Sequence, residues 1–397
     1  TGLISLGSAV RLRPPLPLNI IAVIKKFLKK LFRLISYSIF FKIYGKIEKP
    51  IKSNDDERVK VKIVNIEKDL NYNVYNISNG RLYTDRVHDT AILIDNKIIT
   101  EPSFQLRQDK QSKIYNSKIE DNIVFTKGTP RKLIKLNGSI LSLLTGGGGN
   151  NNYWHWLFDV LPRLGLCNKA TNISEIDYFL LPDHIKNFQI ETLDLLNIPK
   201  NKRLSSKKYR HIKAEKLIVT DHPVVISGNA TNDIMNMPGW ISEWLKKNFL
   251  TENIKNDKQN IKKIYIDRNI EKSNQLPDRL IANEHEVKTC LMKKGFVPIK
   301  LHEIKFTDQI NLFYNAEHIV GLHGGGFANL AFCKKETQVI ELRSSTAGTP
   351  IENLAKKNNL NYEAIIVEAT QIKKFSTPNQ QGSIQVPIKN LTNILER

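Results

Sequence analysis

An α/β architecture is predicted for this chain of 397 residues, and three observations carry the prediction. From Lys262 onward, short apolar runs alternate with helix-length amphipathic segments, the rhythm of a parallel, Rossmann-like sheet. From Val59 to Leu144, alternating segments broken by turn residues read as a β-rich scaffold. Between the two, PGWISEWLKKNFLTENI reads as one amphipathic helix opened by Pro238, which suits a connector. The expected division is an N-terminal segment and linker (1–57), a first domain (58–237), a connecting helix (238–260) and a second domain (261–397).

In chain order, residues 1–17 form a Pro-containing lead without clear structure, and because the chain opens on Thr1 an upstream piece is expected. Over residues 20–44, an ideal helix at about 100° per residue gathers Lys25, Lys26, Lys29, Lys30 and Arg33 within an arc of roughly 140°. Ile24, Phe27, Leu28, Leu31, Phe32, Leu34 and Ile35 lie opposite. The lysines break any apolar run long enough to span a bilayer, and the basic cluster is misplaced for a cleaved signal peptide. A basic amphipathic helix lying on an anionic membrane surface is expected, with each near-surface cation contributing on the order of 1 kcal/mol. The competing expectation is a helix packed on the protein's own body. Lys46 to Arg58 reads as a polar linker.

In the first domain VKVKIVNI alternates, AILIDNKIIT reads as a hairpin about Asp95-Asn96, and KLIKLNGSILSLL as a second hairpin about Asn137-Gly138. After the four glycines 146–149, a helix is expected from near Asn152 to Leu161, ended by Pro162. Asp177 to Leu181, Ile185 to Leu196 and Lys216 to Thr220 continue as strand, helix, strand. In the second domain KKIYIDR, GFVPIKL, HIVGL, TQVIELR and YEAIIVE read as strands. Asn283 to Lys294, Asp308 to Asn315 and Glu352 to Asn358 read as helices, and a helix-length apolar segment runs from Phe327 to Cys333.

The formal charge is +21, and the first fifty residues hold ten Lys and Arg against one Glu, so much of the excess is local. Charge alone does not separate nucleic acid, anionic lipid and phosphorylated substrates. Because the basic residues concentrate on one amphipathic helix, lipid is favoured and nucleic-acid binding is not expected. Cys167, Cys290 and Cys333 are few, distant and set in apolar segments, which suggests neither a disulfide framework nor a zinc site, and a reducing compartment is the default.

Two motifs carry chemistry. His323 and Gly324, Gly325 and Gly326 stand between a strand and a helix-length segment, where glycines let N–H groups approach an anion. His323 can donate to a phosphate oxygen, Asn329 can fix the loop or the ligand, and Glu341 at a strand end can hold ribose hydroxyls. Arg268 lies just past another strand end. Earlier, His155 and Asp159 are four residues apart on an expected helix, the spacing of a base and its orienting partner.

Three stretches, NNYWHWLFDVLPRL, YIDRNIEKSNQLPDRLIANEHEV and the segment from GFVPIKL to IELR, together resemble in order and spacing the family-61 glycosyltransferases. That family includes plant xylan xylosyl- and arabinosyltransferases, animal O-linked N-acetylglucosaminyltransferases and bacterial capsular-polysaccharide proteins. The resemblance implies a GT-B fold of two facing Rossmann-like domains, a nucleotide sugar held mainly by the second, and inverting transfer of a hexosyl or pentosyl group without an obligatory metal or other cofactor. It matches Arg268, Arg279 and Asn283 to an Arg-rich donor region, and His323, Gly324, Gly325, Gly326 and Asn329 to an HG-x-G-x-x-N loop. His155 and Asp159 fall in an HWL-x-D motif, from which one deprotonates the acceptor. The chain departs from the family pattern in Asp267-Arg268-Asn269, where Ser-Arg is common, and in HGGG for HGAG.

The aspartates form no D-x-D pair, so protein cations are expected to stabilise the leaving diphosphate. The expected partners are a nucleotide sugar and a glycan or lipid-linked glycan acceptor, at the inner face of a cytoplasmic membrane. An esterase with an HGGG oxyanion loop is excluded by the lack of G-x-S-x-G. A catalytically inactive partner in a polysaccharide assembly complex is the alternative.

Overall fold

The computed structural model describes residues 18–86, 89–103, 105–108, 114–144, 152–257, 260–268, 279–370 and 382–396. The Pro-containing lead, Asn269 and the glycines 146–149 lie outside the described residues.

The larger sheet contains β1 (Val59–Glu67), β2 (Leu70–Ser78), β3 (Arg81–Arg86), β4 (Asp89–Ile94) and β5 (Lys97–Ile98). After a separate two-stranded ribbon, β6 (Leu106–Gln108) with β7 (Ile114–Asn116), come β8 (Ile134–Ser142), β9 (Tyr178–Leu181), β10 (Arg203–Ser205) and β11 (His211–Thr220). The order is β10-β9-β8-β11-β3-β4-β5, with β2 also on β11 and β1 outside β2. Strands β8 to β11 are parallel, whereas β2 and β3 run antiparallel to β11. The β4–β5 hairpin turns at Asp95, at φ +50°, as its sequence predicts.

Asn137-Gly138 does not turn a hairpin. Strand β8 runs straight through it, and the register with β11 shifts there, between Ala214 and Lys216. Gly138 takes φ +83° and its N–H donates to Glu215 at 2.7 Å. A bulge uses the same left-handed glycine that a tight turn would.

The second sheet comprises β12 (Lys263–Ile266), β14 (Val297–Ile299), β15 (His318–Leu322), β16 (Gln338–Ser344) and β17 (Asn361–Val367), all parallel in the order β14-β12-β15-β16-β17. Helices cover such a sheet on both faces, which is why β15 and β16 read as near-continuous apolar runs and are buried. A small sheet of β13 (Arg279–Ile281), β18 (Ala369–Thr370) and β19 (Gly382–Ile384) lies beside it. The parallel strands end at Asp267-Arg268 and at His323, so the sheet delivers both to its carboxyl edge.

The connector is two helices, Gly239–Phe249 and Glu252–Asn256. The chain leaves helical geometry at Leu250 and Thr251 caps the second piece, its hydroxyl accepting from the Ile254 N–H. Trp240, Ile241, Leu245 and Phe249 join one hydrophobic cluster that takes in Leu141 and Ile218 of the first sheet and Ile264 and Ile319 of the second.

Among its described side chains, the N-terminal helix Leu18–Tyr44 packs by its last turns. Residues 22–35 are exposed, Phe27 and Phe32 by 64% and 63%. Ser36 and Phe40 are buried, Phe40 lies edge-on to Tyr83, and the Tyr44 hydroxyl donates to the Arg131 carbonyl. No described helix is long and apolar enough to cross a membrane.

Candidate active site

The first motif begins where the Asn152 side chain caps a helix, its Oδ1 accepting from the Trp154 N–H at 2.9 Å. This helix does not stop before Pro162. It widens into a π-turn over Trp156–Val160, where the Leu161 N–H reaches the Trp156 carbonyl at 3.1 Å, and continues as Pro162–Ala170. Proline lacks the N–H an α-helix would need here and its ring crowds the preceding turn; a turn with one extra residue accommodates both.

His155 and Asp159 meet on this helix, Nδ1 to Oδ2 at 2.6 Å. The Asp159 side chain is 8% exposed and that of His155 29%. Burial pushes His155 down, but the Asp159 charge and hydrogen bond outweigh it and leave the imidazole above its ordinary pKa. Burial likewise pushes Asp159 up, and the His155 charge outweighs it, holding the carboxyl low. The pair is an ion pair with its imidazole outward. One turn on, Arg163 donates from Nε to the Asp159 carbonyl at 3.0 Å and from Nη1 to the Thr220 carbonyl at 3.3 Å. Burial lowers Arg163 to about 10. His222, whose charge interaction reaches Asp159, is pulled by burial to about 3, and its Nδ1 accepts from the Val224 and Val225 N–H groups, as a neutral ring does.

The second motif leaves β15. The His323 N–H donates to the Leu342 carbonyl at 2.9 Å and its Nδ1 lies against Glu341. Glu341 is fully buried, and its other oxygen accepts from the Tyr362 hydroxyl. Both carboxylate oxygens are taken, so Glu341 orients His323, leaving Nε2 for a ligand, and does not present itself to a ribose. Asn329 is also fully buried; it accepts from the Tyr153 hydroxyl at 2.6 Å and donates to Gln309 at 3.0 Å, so it fixes the loop.

After His323, Gly324 is extended, and residues Gly325–Phe332 form a 3-10 helix where the sequence suggested an α-helix. Its first N–H groups have no partner within the helix. A Cβ on Gly324 would stand 2.9 Å from Arg268 Nη1, and one on Gly326 2.9 Å from Leu301 Cδ1; one on Gly325 would be 3.4 Å from Asn152. Arg268 and Arg279 converge on a single acceptor, the His323 carbonyl, at 2.9 and 2.8 Å. Arg268 pairs with no described carboxylate, and burial lowers its pKa. Arg268, with no described carboxylate paired to it, brings positive charge to an N–H-rich turn.

The two motifs meet through Tyr153 on Asn329 and through Asn152 against Gly325. His155, Asp159, Arg268, Arg279, His323, Asn329 and the three glycines therefore belong to one region. Asn283 stands apart: it donates to the Val386 carbonyl at 2.9 Å and accepts from the Val386 N–H at 2.9 Å, closing the C-terminal segment onto β13. Tyr153, Arg163 and Tyr362 were not singled out from the sequence, where only the density of aromatics around His155 hinted at the first.

No curated protein matches the chain. Residues 153–340 match the family model Glycosyltransferase 61, a span that opens at the head of the dyad helix and takes in Arg268, Arg279 and the whole glycine loop. Residues 153–340, just under half of the chain, carry a family-61 glycosyltransferase domain.

Proposed function

We propose that this enzyme transfers a sugar from a nucleotide-sugar donor to a hydroxyl of a glycan acceptor with inversion and without a metal, in surface or capsular polysaccharide synthesis. The observation that carries the donor reading is the convergence of Arg268 and Arg279 on the His323 carbonyl at the glycine turn. A diphosphate leaving group would meet the Arg268 guanidinium and the N–H groups of the glycine turn there. In a GT-B arrangement, the parallel sheet and its loops hold the donor and the half that carries the dyad faces the acceptor.

The acceptor oxygen attacks the anomeric carbon as the bond to the diphosphate breaks. His155, the more exposed member of the pair, takes the acceptor proton in its neutral form, which it holds above its raised pKa, and Asp159 orients the ring and stabilises the imidazolium that forms. The exposed apolar and basic residues of the helix Leu18–Tyr44 lay the protein on the anionic inner face of the membrane, close to lipid-linked acceptors.

Titration of nucleoside diphosphates and nucleotide sugars with EDTA present tests the donor site. One diphosphate should bind, and Arg268→Ala and His323→Ala should abolish binding. No binding to any member by folded protein overturns the reading in favour of an inactive assembly partner.

A further inference from the structure

A cavity of about 310 Å³ opens where β8 and β11 end, the edge of parallel strands at which ligands sit. Every residue lining it lies between Asn71 and Gly228, ahead of the connector and the second sheet, so it is separate from the glycine turn. Arg163 forms part of its wall, one helical turn beyond Asp159.

This arginine is 3% exposed. Its Nε and Nη1 are spent on the carbonyls of Asp159 and Thr220, while Nη2 has no partner among the described residues and no described carboxylate forms an ion pair with it. That donor is open to solvent at the cavity wall, where a ligand hydroxyl can accept from it in place of water. Thr90, also on the wall and 8% exposed, has a hydroxyl without a partner. Asp221 supplies the opposite polarity, its oxygens set by the Tyr75 hydroxyl at 2.9 Å and the Asn73 N–H at 2.7 Å.

The charges on this wall offset. Arg163 faces Asp221, His222 is neutral, and Glu101 adds a carboxylate at the exposed rim. An anionic ligand would gain one cation and meet two carboxylates. An uncharged polyol finds donors in Arg163 and Thr90 and an acceptor in Asp221. The volume is at the low end of small-molecule pockets, roughly 300–1,000 Å³, which suits one ring and not a chain of them.

We infer that this cavity binds one uncharged pyranose ring of the acceptor glycan, with Arg163 and Asp221 hydrogen-bonded to its hydroxyls. The word acceptor rests on the transfer reading above; the binding itself does not. A ring seated there shares its support with the dyad, since Arg163 holds the carbonyl of Asp159.

Saturation-transfer NMR on the full chain tests this, with methyl glycosides of neutral hexoses and pentoses and the matching uronates as probes. Arg163→Lys removes the forked donor, and Asn116→Trp, at an exposed rim position, blocks the mouth without entering the buried network. At least one neutral glycoside should bind, its uronate more weakly, and both variants should weaken it roughly tenfold or more, the loss of a hydrogen bond to a charged group. Diphosphate binding, measured on the same samples, should not change. If Arg163→Lys does not fold, Asn116→Trp decides. If diphosphate binds but no neutral glycoside does, if neither variant weakens it, or if the uronate binds tighter, the cavity assignment falls and the transferase reading stands. If diphosphate fails to bind the wild type, the donor reading falls and the glycoside result alone decides the cavity.

Discussion

Replacing Asp159 with asparagine keeps the shape of the side chain and removes its charge. The variant loses a charge-assisted hydrogen bond between buried partners, a loss of roughly 1.5–3 kcal/mol. Because the His155 side chain is 29% exposed, water screens part of this and about 2 kcal/mol is expected. The pH dependence has a definite sign. His155 has a raised pKa, so its contribution is complete below the unfolded value of about 6.5 and is lost as pH rises through the folded value. Asp159 has a lowered pKa, so its contribution is present above about 3.9 and is lost as pH falls through the folded value. The gap between wild type and Asp159→Asn is therefore widest between about pH 4 and 6.5. Urea unfolding at pH 5.5 and at pH 9 measures it. A gap that is flat across this range, or wider at pH 9, would refute the ion pair.

The same variant should shift the acid limb of the pH profile of kcat/KM downward, because burial then lowers His155 unopposed, and should slow transfer by about 10²–10⁴. Gly324→Ala puts a methyl group 2.9 Å from Arg268 Nη1 and should weaken diphosphate binding roughly tenfold or more, read by calorimetry. Gly325→Ala, with no atom nearer than 3.4 Å, should stay within about twofold, and equal losses at the two positions would sink the placement of Arg268. Replacing Lys25, Lys26, Lys29 and Lys30 by Glu should cut sedimentation with anionic vesicles by more than about 10²-fold, at about 1 kcal/mol per cation. Undiminished sedimentation would show that this helix is not the anchor.

Much of the second sheet was legible because its central strands β12, β15 and β16 are buried on both faces and so stand out as apolar runs between turn residues. His155 and Asp159 were legible because four residues make one helical turn. Asn137-Gly138 was not, since the same dipeptide serves a tight turn and a bulge, and the choice was made by β9 and β11, distant in the chain. Pro162 misled for a related reason: whether proline ends a helix depends on whether a wider turn can be packed, here with Trp156, Leu157 and Phe158 fully buried. Glu341 and Asn283 show the limit of motif reading. Glu341 was expected at a strand end and instead lies in the middle of β16, where its carboxylate faces His323 and the hydroxyl of Tyr362 on the next strand. Asn283 is claimed by Val386, 103 residues away.

The extra residue in the turn Trp156–Val160 also sets a phase. An α-helix advances about 100° per residue, so a turn one residue longer rotates everything beyond it by about that angle relative to everything before. Tyr153, held by Asn329 next to the glycine loop, lies before it, and Arg163, held by the carbonyl of Thr220 at the end of β11, lies after it. Removing one residue would restore ordinary helical pitch and swing one of these anchors off its partner. The distance between them along the chain thus works as a key with a fixed number of cuts, whose side chains can be exchanged but whose count cannot.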